Sequence, residues 1–236
     1  MAIVRVSERG YANPDLLCET DWLADRLSNS QLRIIDTRSA ELYGAGHIPG
    51  AVSLAAHGGI PRAANGDMAT PEEFGSLAAT LGVGADSTVI VYDAPGAAMG
   101  MTAWAFSYFG HPDVRMLDGG FQKWTQEGRP VSAEPGSYPR AEFEGRPVED
   151  LYCSLDNAKA ANASSDAIFW DVRTQAEYEG TSQAGNNRRT GHIPNAVHLE
   201  WVELLDPETR TLKPQAELGR LLESRGITPE SEINCY

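Results

Sequence analysis

This 236-residue chain says the same thing twice, and that repetition constrains its fold more than any other feature. Ile35-Asp36-Thr37-Arg38, Glu41-Leu42-Tyr43 and Gly46-His47-Ile48-Pro49-Gly50-Ala51-Val52 return as Trp170-Asp171-Val172-Arg173, Glu177-Tyr178 and Gly191-His192-Ile193-Pro194-Asn195-Ala196-Val197. The offset is 135 residues at Asp36/Asp171 and 145 at His47/His192, so the second copy carries a ten-residue insertion, Gly180 to about Arg189, rich in Gly, Asn and Arg. Repetition on this scale means two units of one supersecondary plan in tandem.

Local patterning fills in each unit. Phe74, Leu77, Ala78 and Leu81 form the i, i+3, i+4, i+7 stripe of an amphipathic helix, and Leu218, Leu221, Leu222 and Arg225 repeat its spacing. Thr70, Pro71 and Glu73 make an N-terminal capping box, while Gly82 and Gly226 stand where a helix-ending glycine belongs. A short apolar strand is expected after each, over 88–92 and 232–236. Strands alternating with helices predict an α/β fold in which a mainly parallel sheet is flanked by helices. The expected division is a first domain over 16–131, a Pro/Gly-rich linker over 132–150 and a second domain over 151–236.

Composition narrows the function classes. A net charge of −14 with no run of Lys or Arg argues against nucleic acid or an anionic membrane as partner. No stretch reaches the roughly 18 apolar residues of a membrane span, no signal-peptide pattern opens the chain, and a cytoplasmic protein is expected. Cys18, Cys153 and Cys235 are too few and too dispersed for a disulfide framework or a metal site, and are read as reduced thiols.

The paired Asp-x-Arg, Glu-Tyr and Gly-His-Ile-Pro-x-Ala-Val motifs, with Leu117-Asp118-Gly119-Gly120-Phe121-Gln122-Lys123-Trp124 near the end of the first unit, resemble a tandem-domain rhodanese over nearly the whole chain. These are sulfurtransferases of the thiosulfate or 3-mercaptopyruvate type. The resemblance implies transfer of sulfane sulfur through a cysteine persulfide. That cysteine opens a strand-to-helix loop whose inward N–H groups and helix terminus lower the thiol pKa and hold an anion. It further implies no metal or organic cofactor, a small anionic sulfur donor, and a thiol, cyanide or protein acceptor. In such families the first domain has lost the nucleophile and is structural.

Alignment at Gly82/Gly226 pairs Val91 with Cys235 and Tyr92 with Tyr236, so Asp93 pairs with the position following Tyr236. Asp93 then marks the vacated site of the first domain, where its charge would repel thiosulfate. No catalytic cysteine is assigned within the chain; the nucleophile is expected immediately after Tyr236. The second domain is expected to be incomplete at its C-terminus, with its last strand exposing apolar surface. Cys235 itself reads as a small buried hydrophobe, and Cys18 and Cys153 as packing residues. Arg188 and Arg189, unique to the second copy, are candidates to clamp a sulfonate-like oxygen; an exposed, solubilising loop is the equally weighted alternative. Arg173 is a less specific substrate-binding candidate, because Arg38 duplicates it. Asp171 and His192 are expected to be structural beside the site. Glu177 stands where mercaptopyruvate-type members carry an Arg, which tilts the donor toward thiosulfate. A non-catalytic rhodanese-like binding or regulatory module is the alternative function.

Overall fold

A computed structural model describes residues 4–63, 66–94, 97–163, 167–182 and 189–236. The chain separates into two compact units, Met1–Tyr152 with Glu208–Thr211, and Cys153–Pro207 with Leu212–Tyr236.

The first unit runs β1 (Leu17–Cys18), α1 (Thr20–Ala24), β2 (Leu32–Asp36), α2 (Ala40–Ala45), β3 (Val52–Ser53), α3 (Pro71–Thr80), β4 (Thr88–Tyr92), α4 (Ala98–Tyr108), β5 (Val114–Leu117) and α5 (Gly120–Gln126). Its strands pair in parallel in the order β1-β5-β4-β2-β3, which places β4 in the middle of the sheet. Central parallel strands are covered on both faces, and Val89, Ile90, Val91 and Tyr92 are fully buried. One face packs Phe74 against Phe106 and Phe109, at ring-centroid distances of 5.0 and 4.1 Å; the other holds Leu23, Ile34, Ile48, Leu117 and Trp124. Each such side chain contributes about 1.5–3 kcal/mol through burial.

Helix α3 forms as its caps dictate. Thr70 accepts from the Glu73 N–H while the Glu73 carboxylate accepts from the Thr70 N–H, and Gly82 closes the helix at φ +72°. Residues 132–150, read from the sequence as a linker, are laid along the first unit. Tyr138 and Phe143 pack on its core, and the N–H groups of Arg146 and Val148 donate to the carbonyls of Phe109 and Tyr108 at 2.9 and 2.7 Å.

The second unit runs α6 (Leu155–Ala163), β6 (Ala167–Asp171), α7 (Gln175–Tyr178), β7 (Val197–His198), α8 (Gln215–Glu223) and β8 (Glu232–Cys235), with parallel strand order β7-β6-β8. Among the described residues β8 pairs only with β6. Leu218, Leu221 and Leu222 of α8 are only partly buried, and Ile233 is 41% exposed. Among the described residues, the buried apolar side chains of this unit are Phe169, Ala196, Leu199 and Ile227. No helix among the described residues is long and apolar enough to cross a membrane.

Candidate active site

In both units a strand delivers an aspartate whose carboxylate gathers the start of the following loop. In the first, Asp36 is fully buried at the end of β2. Its Oδ1 accepts from the Arg38 N–H at 2.9 Å, its two oxygens take the Arg38 guanidinium in a fork, and the Tyr92 hydroxyl donates to Oδ2 at 2.6 Å. The guanidinium reaches on to the Gly46 carbonyl at 2.7 Å, tying the Asp-x-Arg turn to the Gly-His-Ile-Pro turn. The Ile48 N–H donates to the Tyr92 hydroxyl at 3.2 Å, so that hydroxyl is a hub.

The second unit rebuilds the same knot. Asp171 takes the Arg173 N–H at 3.0 Å and the guanidinium in a fork; Arg173 reaches the Gly191 carbonyl at 3.0 Å; and the Ile193 N–H donates to the Tyr236 hydroxyl at 2.9 Å. Burial opposes ionisation of Asp171, but hydrogen bonds from Arg173 and the Tyr236 hydroxyl outweigh it and hold the carboxyl below the ordinary carboxylate range. The Tyr236 hydroxyl is itself pushed up to about 12, by burial first and then by Asp171.

The knots differ in cover. The Arg38 guanidinium lies 3.8 Å from the Phe121 ring centroid and its side chain is 4% exposed; Arg173 has Tyr236 at 5.2 Å and is 25% exposed. Phe121 arrives through the Gly119-Gly120 step. Gly120 has φ +58°, a Cβ on it would run into the Asp93 carbonyl oxygen, and that same oxygen accepts the Phe121 N–H at 2.8 Å.

Asp93 opens the β4–α4 loop. Hydrogen bonding from the N–H groups of Ala94 and Met99 favours its charged form, so the loop donors beside α4 already serve an internal acid, while the Thr37 hydroxyl donates to the Tyr92 carbonyl at 3.0 Å. Burial pushes the Asp93 carboxyl up, against those hydrogen bonds.

Strand register fixes the correspondence between the units. Val91 lies opposite Ile35 and Cys235 opposite Trp170. The N–H groups of Thr37 and Val172 donate to the carbonyls of Tyr92 and Tyr236 at 3.0 and 3.1 Å. Tyr236 therefore stands to Asp171 as Tyr92 stands to Asp36.

Cys235 requires a correction: expected to be buried, it is exposed. Its counterpart Val91 is sealed because β4 has β2 on one side and β5 on the other, whereas β8 pairs only with β6 among the described residues. The Cys235 thiol is still partly enclosed, and burial followed by Asp171 raises its pKa. Cys18 is 3% exposed and pushed up to about 12 by burial; Cys153 is exposed and also raised, by burial and then Glu232. None of the three has the depressed pKa of an activated thiol.

Arg189 is exposed, and Arg188 lies outside the described residues. Glu177 caps α7: its carboxylate accepts from the Thr174 N–H at 3.2 Å and the Thr174 hydroxyl at 2.7 Å. His192 is exposed and stacks on Tyr178 at 3.8 Å. Sequence reasoning missed the tyrosine hydroxyls as members of the knot. The signal was present, since Tyr92 and Tyr236 end equivalent strands. Among the described residues no three His, Cys, Asp or Glu side chains cluster as a metal site would.

Parallel strands whose C-terminal ends carry the loops that converge on a central position define an α/β protein with its site at the strand ends. The model for the rhodanese-like domain matches residues 19–127 and 154–236. The sulfur carrier protein TtuD of Thermus thermophilus is 34% identical over 96% of this chain and 84% of its own length. A thiosulfate sulfurtransferase of Corynebacterium glutamicum is 30% identical over 95% of this chain and 78% of its own. The solved structure of the 3-mercaptopyruvate sulfurtransferase SseA from Escherichia coli superposes with a TM-score of 0.81 at 26% identity, covering 93% of this chain and 87% of that one. Other solved chains of the same fold are longer, and this chain spans 61% of one that superposes at 0.83. The chain belongs to the rhodanese family of sulfurtransferases, with two rhodanese-like domains in tandem.

Proposed function

We propose that the protein serves sulfane-sulfur transfer from thiosulfate, or a related small anionic donor, to a thiol, cyanide or protein acceptor, and that its second unit is the catalytic one. The nucleophile's place is the position that follows Tyr236, in register with Asp93. A thiolate there attacks the outer sulfur of thiosulfate; the S–S bond breaks, sulfite leaves with the electron pair, and the resulting persulfide yields its sulfur to the acceptor, which restores the thiolate. The observation that carries this reading is the shared register of Tyr92 and Tyr236 on their Asp-x-Arg knots. Arg188 and Arg189 are the proposed clamp for the donor's oxygens. Arg173, although a substrate-binding candidate by sequence, spends its Nε and one terminal nitrogen on Asp171 and Gly191, as Arg38 does on Asp36 and Gly46, and is proposed to position the loop. Glu177 supplies no cation for a carboxylate, which favours thiosulfate over mercaptopyruvate.

The raised pKa of every cysteine present favours a second reading for residues 1–236 taken alone: a non-catalytic rhodanese-like module. The two readings agree that this polypeptide shows no cyanide-dependent sulfur transfer from thiosulfate above background. Robust turnover that disappears in a Cys235→Ser variant would overturn both. Mass spectrometry after thiosulfate treatment separates them further, because a gain of about 32 Da, one sulfur atom, on any cysteine contradicts the non-catalytic module.

A further inference from the structure

The stretch that leaves the first unit runs extended along it. His47 and Ser132 form an antiparallel bridge and exchange both backbone hydrogen bonds at 2.9 Å, so residues 131–136 close the Gly46–Ala51 turn. Further on, the N–H groups of Ala141 and Arg146 donate to the carbonyls of Ala79 and Phe109 at 3.2 and 2.9 Å. Residues 141, 143 and 145 are partly or fully covered while 142, 144 and 146 are exposed, the alternation of an extended strand. The fit is close. A Cβ on Gly75 would meet the Phe143 carbonyl oxygen at 2.7 Å, and one on Gly110 the Arg146 carbonyl oxygen at 2.8 Å.

Beneath this stretch lies a buried histidine that the sulfur chemistry does not use. His111 is 4% exposed; Phe106 meets it edge-on with ring centroids 6.0 Å apart, and Phe143 covers it at 5.5 Å. Its Nε2 lies 3.1 Å from the Gly84 carbonyl oxygen, which can only accept, and the Asp113 N–H, which can only donate, reaches its Nδ1 at 3.3 Å. The two bonds together fix the neutral ring with its proton on Nε2. A second proton has to go on Nδ1, where it would face the Asp113 N–H. Burial lowers the ring's affinity for that proton and outweighs the Gly84 carbonyl and the Asp113 carboxylate, which favour it. The charged groups on the surrounding elements are Asp113 and Arg115 at the start of β5, Asp86 in the loop after α3, and Glu142, Glu144 and Arg146 on the extended stretch; α4 carries none. The Asp113 carboxylate is engaged by Arg115 at 2.7 Å and by the Thr88 hydroxyl at 2.8 Å.

We propose that His111 is an acid-sensitive latch for residues 141–146. Protonation at Nδ1 removes the bond from the Asp113 N–H and leaves a charge among phenylalanine rings, and both costs are relieved when the stretch lifts and water reaches the imidazole. This wall of the pocket yields because it is the least tied. Gly84 is held by Ser87, whose N–H donates to its carbonyl and whose hydroxyl accepts its N–H, each at 3.0 Å, and Phe106 is fully buried on α4. Residues 141–146 are held by the Phe143 ring and the backbone bonds of Ala141 and Arg146. A histidine kept neutral while covered, and titrating normally once uncovered, makes the covered state strongest above the ordinary value of about 6.5 and progressively weaker as pH falls below it. The stretch leads into the second unit, so its release lengthens the covalent connection between the two. The inference needs no cysteine and stands apart from the sulfur chemistry.

The test is amide hydrogen exchange of the full chain, followed by NMR and corrected for the intrinsic rate at each pH. The Arg146 amide is expected to exchange faster than that of Val91 in β4, and its protection to fall about tenfold between about pH 7.5 and about pH 5.5. The Glu127 amide, bonded to the Lys123 carbonyl within α5, is expected to keep its protection over that range. In His111→Gln, whose amide group can donate to Gly84 and accept from Asp113 without taking up a proton, the protection of Arg146 is expected to be the same at both pH values. Phe143→Ala is expected to lower that protection already at about pH 7.5 and to return the His111 titration midpoint, read from its ring resonances, to about 6.5. Protection of Arg146 that does not change with pH, an equal fall at Glu127, exchange of Arg146 no faster than that of Val91, a pH effect that persists in His111→Gln, or a His111 midpoint that Phe143→Ala leaves in place would each overturn the proposal.

Discussion

The two Asp-x-Arg knots are nearly the same set of bonds set in different surroundings. In the first unit Phe121 lies over the guanidinium, β5 seals the strand beside it and the 131–136 run closes the turn beyond it. In the second unit the guanidinium is a quarter exposed, and among the described residues the strand leading to Tyr236 pairs on one side only and no run covers the turn. Hydrogen-bond geometry survives this change of environment because it is local: a single residue separates the aspartate from its arginine in each case. What the knot is worth does not survive unchanged, because the cost of leaving a charge unpaired grows as water is excluded.

The comparison is sharpened most by substitutions that exploit that difference in burial. Phe74→Ala removes a fully buried ring that packs against those of Phe106, Phe109 and Phe143, and is expected to cost about 3–5 kcal/mol, whereas the half-covered Leu221→Ala in the equivalent helix is expected to cost about 1 kcal/mol. Urea denaturation of both variants measures this; equal losses would mean that α8 is buried as deeply as α3. Asp36→Asn strands a guanidinium that is 4% exposed, for about 3–5 kcal/mol, and Asp171→Asn should cost about half as much because water reaches Arg173. Similar costs at both positions would break the claim that cover distinguishes the knots.

The pH dependence should have opposite signs at two carboxylates. Asp171 is held below its ordinary range, so its contribution is complete above the unfolded value of about 3.9 and is lost as pH falls through the folded value. Asp93 is raised, so its ionisation costs stability as pH rises from about 3.9 through its folded value. Asp171→Asn is therefore expected to flatten the acid limb of the stability curve, and Asp93→Asn to gain relative to the parent as pH rises from about 3 to about 6. Denaturation midpoints across that range decide it; parallel curves for the two variants would contradict the assigned directions.

Smaller effects follow from caps and thiols. Thr174→Ala removes the α7 capping box and should cost about 1 kcal/mol by urea denaturation, with Thr70→Ala costing a similar amount at α3. In native protein a maleimide reagent should label Cys153 and Cys235 but leave Cys18 unlabelled until unfolding, as mass spectrometry would show. Labelling of Cys18 in the folded chain would contradict its burial.

Much of the fold was legible before any coordinates. Thr70, Glu73 and Gly82 bound α3 as their residue types dictate, the 88–92 strand fell where it was expected, and the alignment of Tyr92 with Tyr236 agrees with the strand register. The candidate site was only partly legible. The Asp-x-Arg pairs stood out by repetition, but Cys235 was misjudged. Alternation along a strand gives the face a side chain points to and says nothing of what covers that face.

The sequence by itself determined the duplication, the order of elements, their caps and the family, because each rests on residues close together in the chain or on a pattern that repeats. Only the tertiary structure decided that Asp93 fills its own loop's donors, that tyrosine hydroxyls join the two knots, that Cys235 lies open and that residues 131–136 close one turn and not the other. Those outcomes depend on which segments distant in sequence come to rest against one another, and burial, which sets the energy of every charge and thiol involved, exists only after they have done so.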